Sequence, residues 1–205
     1  MSWLASPYDD PDLCAAFLPA FGRGEVPSLI VGEAIEAQAA ARLRALAAPH
    51  LVRRALPDRG NYRTVGAAAL PALAEVAEEL RAFATAASGL LLGAAGSALD
   101  RLDRGGYALR LDDFERRMPG PLLEATLDLS EAECAPAGTV YSEGAGLEVH
   151  HLLVKQAPGL LALVVRGPRG LRCDRYQSCL GGAVSVWRLR VAWTLGQEPA
   201  RGAAR

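Results

Sequence analysis

The stretch "GGYALRLDDF", residues 105–114, marks the point where the chain changes character. Before it, Ala, Leu, Glu and Arg recur at helical spacing. After it, short apolar runs alternate with Gly and Pro turns. A period near 3.6 followed by a period near 2 predicts helices first and strands later. That order implies an α+β chain whose N-terminal helices pack on one sheet of a β-sandwich or jelly roll. Within the stretch, an aromatic and two apolar residues lead into the pair Asp112 and Asp113, as in a strand that delivers carboxylates into a pocket.

Working outward, the chain of 205 residues suits one domain at 26–195, with an extension at 1–25 and a frayed tail at 196–205. The expected division within that domain is mainly helical at 26–104 and β jelly roll at 105–195. With 51% hydrophobic residues, a sizeable core forms without crosslinks. The formal net charge of −1 and the scattering of basic among acidic residues, as in "RALPDRGNYR", leave no stripe to track a phosphate backbone. Nucleic acid and anionic membranes are therefore excluded as expected partners, and a small molecule or peptide remains. Cys14, Cys134, Cys173 and Cys179 contain no CxxC pair, the pattern of neither a zinc site nor a disulfide framework. Sporadic thiols, an acidic start "MSWLASPYDDPDLC" and no apolar run of spanning length predict a cytoplasmic protein.

Before residue 105, "VPSLIVGEAI" reads as a short strand. A helix follows, with Ile35, Ala39, Leu43 and Leu46 on one face, and stops before Pro49. A second helix runs from Pro71 to a Gly89 cap. Residues 51–65 read as a polar loop, and "LGAAGSALDRL", 92–102, as a third short helix or a turn. After residue 105, six stretches read as strands: "GGYALRLDD", "LEATLDLS", "GTVYSEGAGLEVHHLLVKQAPG", "GLLALVVRG", "RCDRYQSCLGG" and "AVSVWRLRVAWTL".

In this order the pieces resemble the iron and 2-oxoglutarate-dependent oxygenases, in particular the small prolyl-hydroxylase-like members with a double-stranded β-helix. The resemblance covers roughly residues 26 to 195. "SLIVGEAI" and "AARLRAL" look like the family's entry segment, and "GGYALRLDD" like its first metal strand. "QAPGLLALVVRG" is similar to the turn and strand before the second metal histidine. "VSVWRLRVAWTL" resembles the closing segment with the co-substrate arginine. The resemblance implies a facial triad of two histidines and one carboxylate on Fe(II), with open positions for 2-oxoglutarate and oxygen. The first histidine and the carboxylate, two apart on one strand face, fall on Leu111 and Asp113. A shift by one residue pairs Arg110 with Asp112 instead. The second histidine is expected in "PRGLRCDRYQS", where Asp174 is the nearest substitute. Only the carboxylate of the triad is kept.

The remaining histidines are His50, His150 and His151. A relocated metal site of Asp113, Asp174 and His150 or His151 is one reading; a hydrogen-bonded strand histidine is the commoner state of such residues. Arg188 and Arg190 share a strand face and, by the resemblance, are the residues that would clamp the co-substrate carboxylate, Arg188 matching the family position better. A solvated face is the alternative for this pair. Glu124 and Asp128, i and i+4 on one strand, read as solvated acids, and Tyr107 and Tyr141 as sheet or pocket-wall residues. Ser142 and Ser178 lack a hydrolase pattern, and the glycines form no phosphate cradle. Two functions follow: a 2-oxoglutarate-dependent dioxygenase (hydroxylase) using Fe(II) and 2-oxoglutarate through an altered site, or a non-catalytic binding or partner module that needs no cofactor.

Overall fold

The computed structural model describes residues 2–56, 60–108, 121–133, 138–145, 148–167, 170–174 and 185–196. Among these the strands are β1 (Ser28–Val31), β2 (Val52–Leu56), β3 (Gly60–Gly66), β4 (Leu92–Leu102), β5 (Tyr107–Ala108), β6 (Leu122–Asp128), β7 (Gly138–Ala145), β8 (Glu148–Lys155), β9 (Leu161–Arg166), β10 (Leu171–Asp174) and β11 (Val186–Leu195). Their order is β1-β9-β6-β11-β4-β3-β5-β10-β7-β8, with β2 paired to β3, and every pairing is antiparallel. The sheet folds over itself between β3 and β5, where Gly60 meets Ala108. The result is a nearly closed, barrel-like jelly roll braced by helices.

After the short α1 (Pro11–Cys14), two longer helices, α2 (Ala37–Ala47) and α3 (Ala72–Ser88), lie against one layer. In α3, Leu73, Val76, Ala77, Leu80, Phe83, Ala84 and Ala87 are buried at helical spacing. They meet Leu99 of β4, Leu123, Ala125 and Leu127 of β6, and Leu189, Val191 and Trp193 of β11. Gly89 ends α3 in the left-handed region, φ +68°, and returns its N–H to Thr85 O at 2.9 Å. The N-terminal extension is packed rather than loose. Glu79 of α3 accepts the backbone N–H groups of Trp3 at 2.7 Å and Leu4 at 3.1 Å, and the Arg42 guanidinium sits 4.7 Å above the Trp3 ring. No helix among the described residues is long and apolar enough to cross a membrane.

Four expectations change. Residues 51–65, read as a loop, form most of the β2–β3 hairpin, and 92–102, read as a helix or turn, is the long strand β4 between β11 and β3. Residues 26–104 therefore mix four strands with the two helices. Ala and Gly favour neither strand, but the partners on both sides of β4 override local preference. The small residues let β11 approach: a Cβ on Gly93 would collide with Thr194. In α2 the buried positions are Ala40, Leu43 and Ala47, while Leu46 is 41% exposed. The stripe is rotated from the one expected because Ile35 precedes the helix and sets no phase for it.

Candidate functional site

Because side chains alternate across a strand, each strand of the helix-covered layer sends its other face into the barrel. Many of those inward positions are charged or polar, beside apolar Ala162 and Val164 of β9. β6 contributes Glu124, Thr126 and Asp128; β11 contributes Arg188 and Arg190; β4 contributes Asp100; and β9 contributes Arg166. From the opposite layer come Arg172 and Asp174 of β10 and Thr139 and Tyr141 of β7. All four arginines and all four carboxylates are at most 5% exposed.

They form one network. Arg188 donates to Asp174 Oδ1 and, at 3.0 Å, to Thr139 Oγ1, which itself donates to Asp174 Oδ1 at 2.8 Å. Arg172 reaches Asp174 Oδ2 at 3.3 Å and Glu124 Oε1 at 3.5 Å. Glu124 also faces Arg166 at 3.5 Å and accepts the Tyr141 hydroxyl at 2.8 Å. Arg190 Nε donates to Asp100 Oδ2 at 2.5 Å. Burial alone would raise Asp174, but Arg172, Arg188 and Arg190 outweigh it and hold the carboxyl below its ordinary value. Glu124 is lowered in the same way against burial, by Arg172, Arg166, Arg190 and the Tyr141 hydroxyl. Burial, and next the Glu124 charge, push the Tyr141 hydroxyl well up.

Among the described residues, Thr126, Asp128, Thr139, Gln156 and Arg188 line a space of about 10 Å³, the room of roughly one water molecule. Among the described residues no three His, Cys, Asp or Glu side chains converge as a metal ion requires.

Of the residues singled out in the sequence, Asp174 and Arg188 are brought into direct contact, and Arg190 lies beside them. The wet-face alternative for the two arginines does not hold, since they are 3% and 2% exposed. Leu111, Asp113, Arg110 and Asp112 lie outside the described residues. His150 and His151 bond outside this network: His150 Nδ1 is 2.7 Å from Glu25, and His151 Nδ1 is 2.9 Å from Ser142 Oγ. Both bonds are solvent-exposed. Glu124 and Asp128, expected in solvent, are 1% and 3% exposed and belong to the site. Asp100, Arg166 and Arg172 were not anticipated. For Glu124 and Asp128 the available signal was charge complementarity between "LEATLD" and "RLR", which pair in register with Arg188 opposite Asp128.

No family model matches the chain, and no curated protein sequence matches it. Solved structures do. The α-ketoglutarate-dependent epimerase SnoN of nogalamycin biosynthesis superposes with a TM-score of 0.63 at 15% identity, over 90% of this chain and 82% of that one. A Pseudomonas putida prolyl-4-hydroxylase gives 0.60 at 15% identity, over 89% and 98%. The chain has the fold of the 2-oxoglutarate-dependent oxygenases. A further oxygenase-fold neighbour, EvdO2 from Micromonospora carbonacea, was solved with 2-oxoglutarate bound and gives 0.57 at 12% identity, over 97% and 96%. At these identities the likeness is one of fold, and the chemistry has to be argued from the site.

Proposed function

We propose that this oxygenase-fold protein has exchanged iron chemistry for an internal ion network and acts as a non-catalytic binding module. The observation that carries the reading is the contact between Asp174 and Arg188. By the resemblance, Asp174 stands where the second metal histidine is expected and Arg188 where the co-substrate arginine is expected. Here each satisfies the other. A co-substrate carboxylate would have to displace Asp174 from the guanidinium and add a fifth carboxylate to an interior where four arginines already face four carboxylates, which is unfavourable. Asp174 also faces Arg172 and Arg190, so three cations surround the place of a ligand for a fourth. With Leu111 at the first histidine position, these residues do not fit Fe(II) and 2-oxoglutarate.

The competing reading, oxygenation through altered ligands, is favoured by EvdO2, a neighbour that holds 2-oxoglutarate. Anaerobic titration with Fe(II) and 2-oxoglutarate separates the two. The expected result is no visible charge-transfer band and, after oxygen is admitted, no succinate above the blank. A stoichiometric band, or substrate-independent succinate formation, would overturn the proposal and redirect attention to His150 and His151. Leu111→His combined with Asp174→His is expected to raise iron affinity, measured in the same titration.

A further inference from the structure

A second cluster of charge lies outside the barrel. Arg53 stands directly opposite Arg63 across β2 and β3, and Arg63 directly opposite Arg101 across β3 and β4. The three form one row, which continues to Trp187 on β11. Like charges facing each other on neighbouring strands destabilise a sheet, and here two such pairs follow in succession. Among the described residues the cleft beside them contains one carboxylate, Asp103. It accepts Arg101 Nε and the Ser185 hydroxyl, each at 2.7 Å, and lies 3.6 Å from Arg63 Nε. No carboxylate among the described residues pairs with Arg53. Arg53, Asn61, Arg63 and Arg104 line the same cleft, which holds about 180 Å³.

The cleft is preorganised. Arg101 is held by Asp103 and lies 5.2 Å from the Trp187 ring. The turn that carries Asp103 and Arg104 closes with Gly106 N–H on Asp103 O at 2.7 Å, and a Cβ on Gly106 would press on that same carbonyl. Without counting Arg104, which has other interactions, the arginine row and Asp103 leave two positive charges. That matches the charge of about −1.5 to −2 on a phosphate monoester near neutral pH. The volume suits a phosphate group and is too small for a nucleotide-sized ligand, for which pockets run upward from about 300 Å³. The side chains come from two strands and a turn, so the donors approach from several directions. A phosphate monoester offers three acceptor oxygens to such donors, where a carboxylate offers two.

We propose that this cleft binds the phosphate group of a small phosphomonoester. The site shares no residue with the barrel network, so its test is independent of the iron reading. The probes are inorganic phosphate and glycerol 3-phosphate, titrated into the full chain with ³¹P NMR line broadening and thermal unfolding as readouts, and succinate is the planar control. Both phosphates are expected to bind and raise Tm, more weakly as salt increases. Arg53→Gln with Arg63→Gln is expected to weaken binding about tenfold or more, while Tm without phosphate stays equal or rises because like-charge repulsion is relieved. Arg53→Gln alone, at an exposed position on an outer strand, reports the same loss with the least risk to folding. Phosphate binding unchanged in the variants would overturn the proposal, as would succinate binding as tightly as phosphate. A fall in Tm with phosphate affinity intact would assign the row a structural role instead.

Discussion

Asp128 and Asp174 both face Arg188 from inside the barrel, yet they respond to pH in opposite senses. Asp174 has its carboxyl lowered, so its contribution is present above its ordinary value of 3.8 and is lost as pH falls through the lower folded value. Asp128 is raised: burial outweighs the hydrogen bonds from Ser130 and the attraction of Arg188. Its Oδ1 accepts Ser130 N–H at 2.8 Å, while among the described residues Oδ2 makes no hydrogen bond and neither does the nearby buried Gln156 Oε1. A proton on Oδ2 supplies the missing donor. Its contribution is therefore fully present below 3.8 and fades as pH rises through the raised folded value. Asp128→Asn, which removes the buried charge and adds a donor, is expected to stabilise by about 1 kcal/mol at pH 7. That gain should shrink at pH 4, as read from urea unfolding at the two pH values; a variant equally destabilised at both would contradict this account. Asp174→Leu and Arg188→Met are each expected to cost about 3–5 kcal/mol, and the double variant less than their sum. The pairing of Arg188 and Arg190 on one face was legible in "VWRLRV", but which face was wet was not. Alternation locates a second face without saying what covers it, and here the covering layer belongs to β7 and β10, remote in sequence.

Elements with their own punctuation were the ones the sequence announced. Helix α3 carries Pro71 before its start and Gly89 after its end, and its bounds follow them closely. Gly89→Ala is expected to cost about 1 kcal/mol, because φ +68° strains any residue with a Cβ and that Cβ would meet Leu18 at 3.3 Å. Chemical unfolding of the variant measures it, and a neutral result would mean that the helix end relaxes. β4 had no such marks. "LGAAGSALDRL" has the composition of a helix, and its strand state comes from β11 on one side and β3 on the other. The β2–β3 hairpin was hidden differently, since its four arginines gave it the polarity of a loop. A strand at the rim of a sheet can carry such residues because little covers it.

At the scale of the molecule, the jelly roll was legible from the order of turns and apolar runs after residue 105, and the neighbours share it over most of their length. The contents of the barrel were not legible, because a charged interior and a charged surface leave the same alternating trace. That interior has a consequence for how stability varies with temperature. Exposing apolar surface on unfolding raises the heat capacity, and exposing polar surface lowers it. This chain keeps a conventional apolar core between sheet and helices, while its second enclosed space holds four guanidinium and four carboxylate groups beside a smaller apolar cluster of Val26, Tyr141, Val154, Ala162 and Val164. The heat-capacity increment of unfolding should thus fall below the usual value of about 12–15 cal/mol/K per residue, a quantity that scanning calorimetry at several pH values measures. Since the desolvation penalty of ion pairs also falls on heating, the stability curve should be broad and shallow, with cold denaturation pushed further down than in a jelly roll of the same length with an apolar lumen.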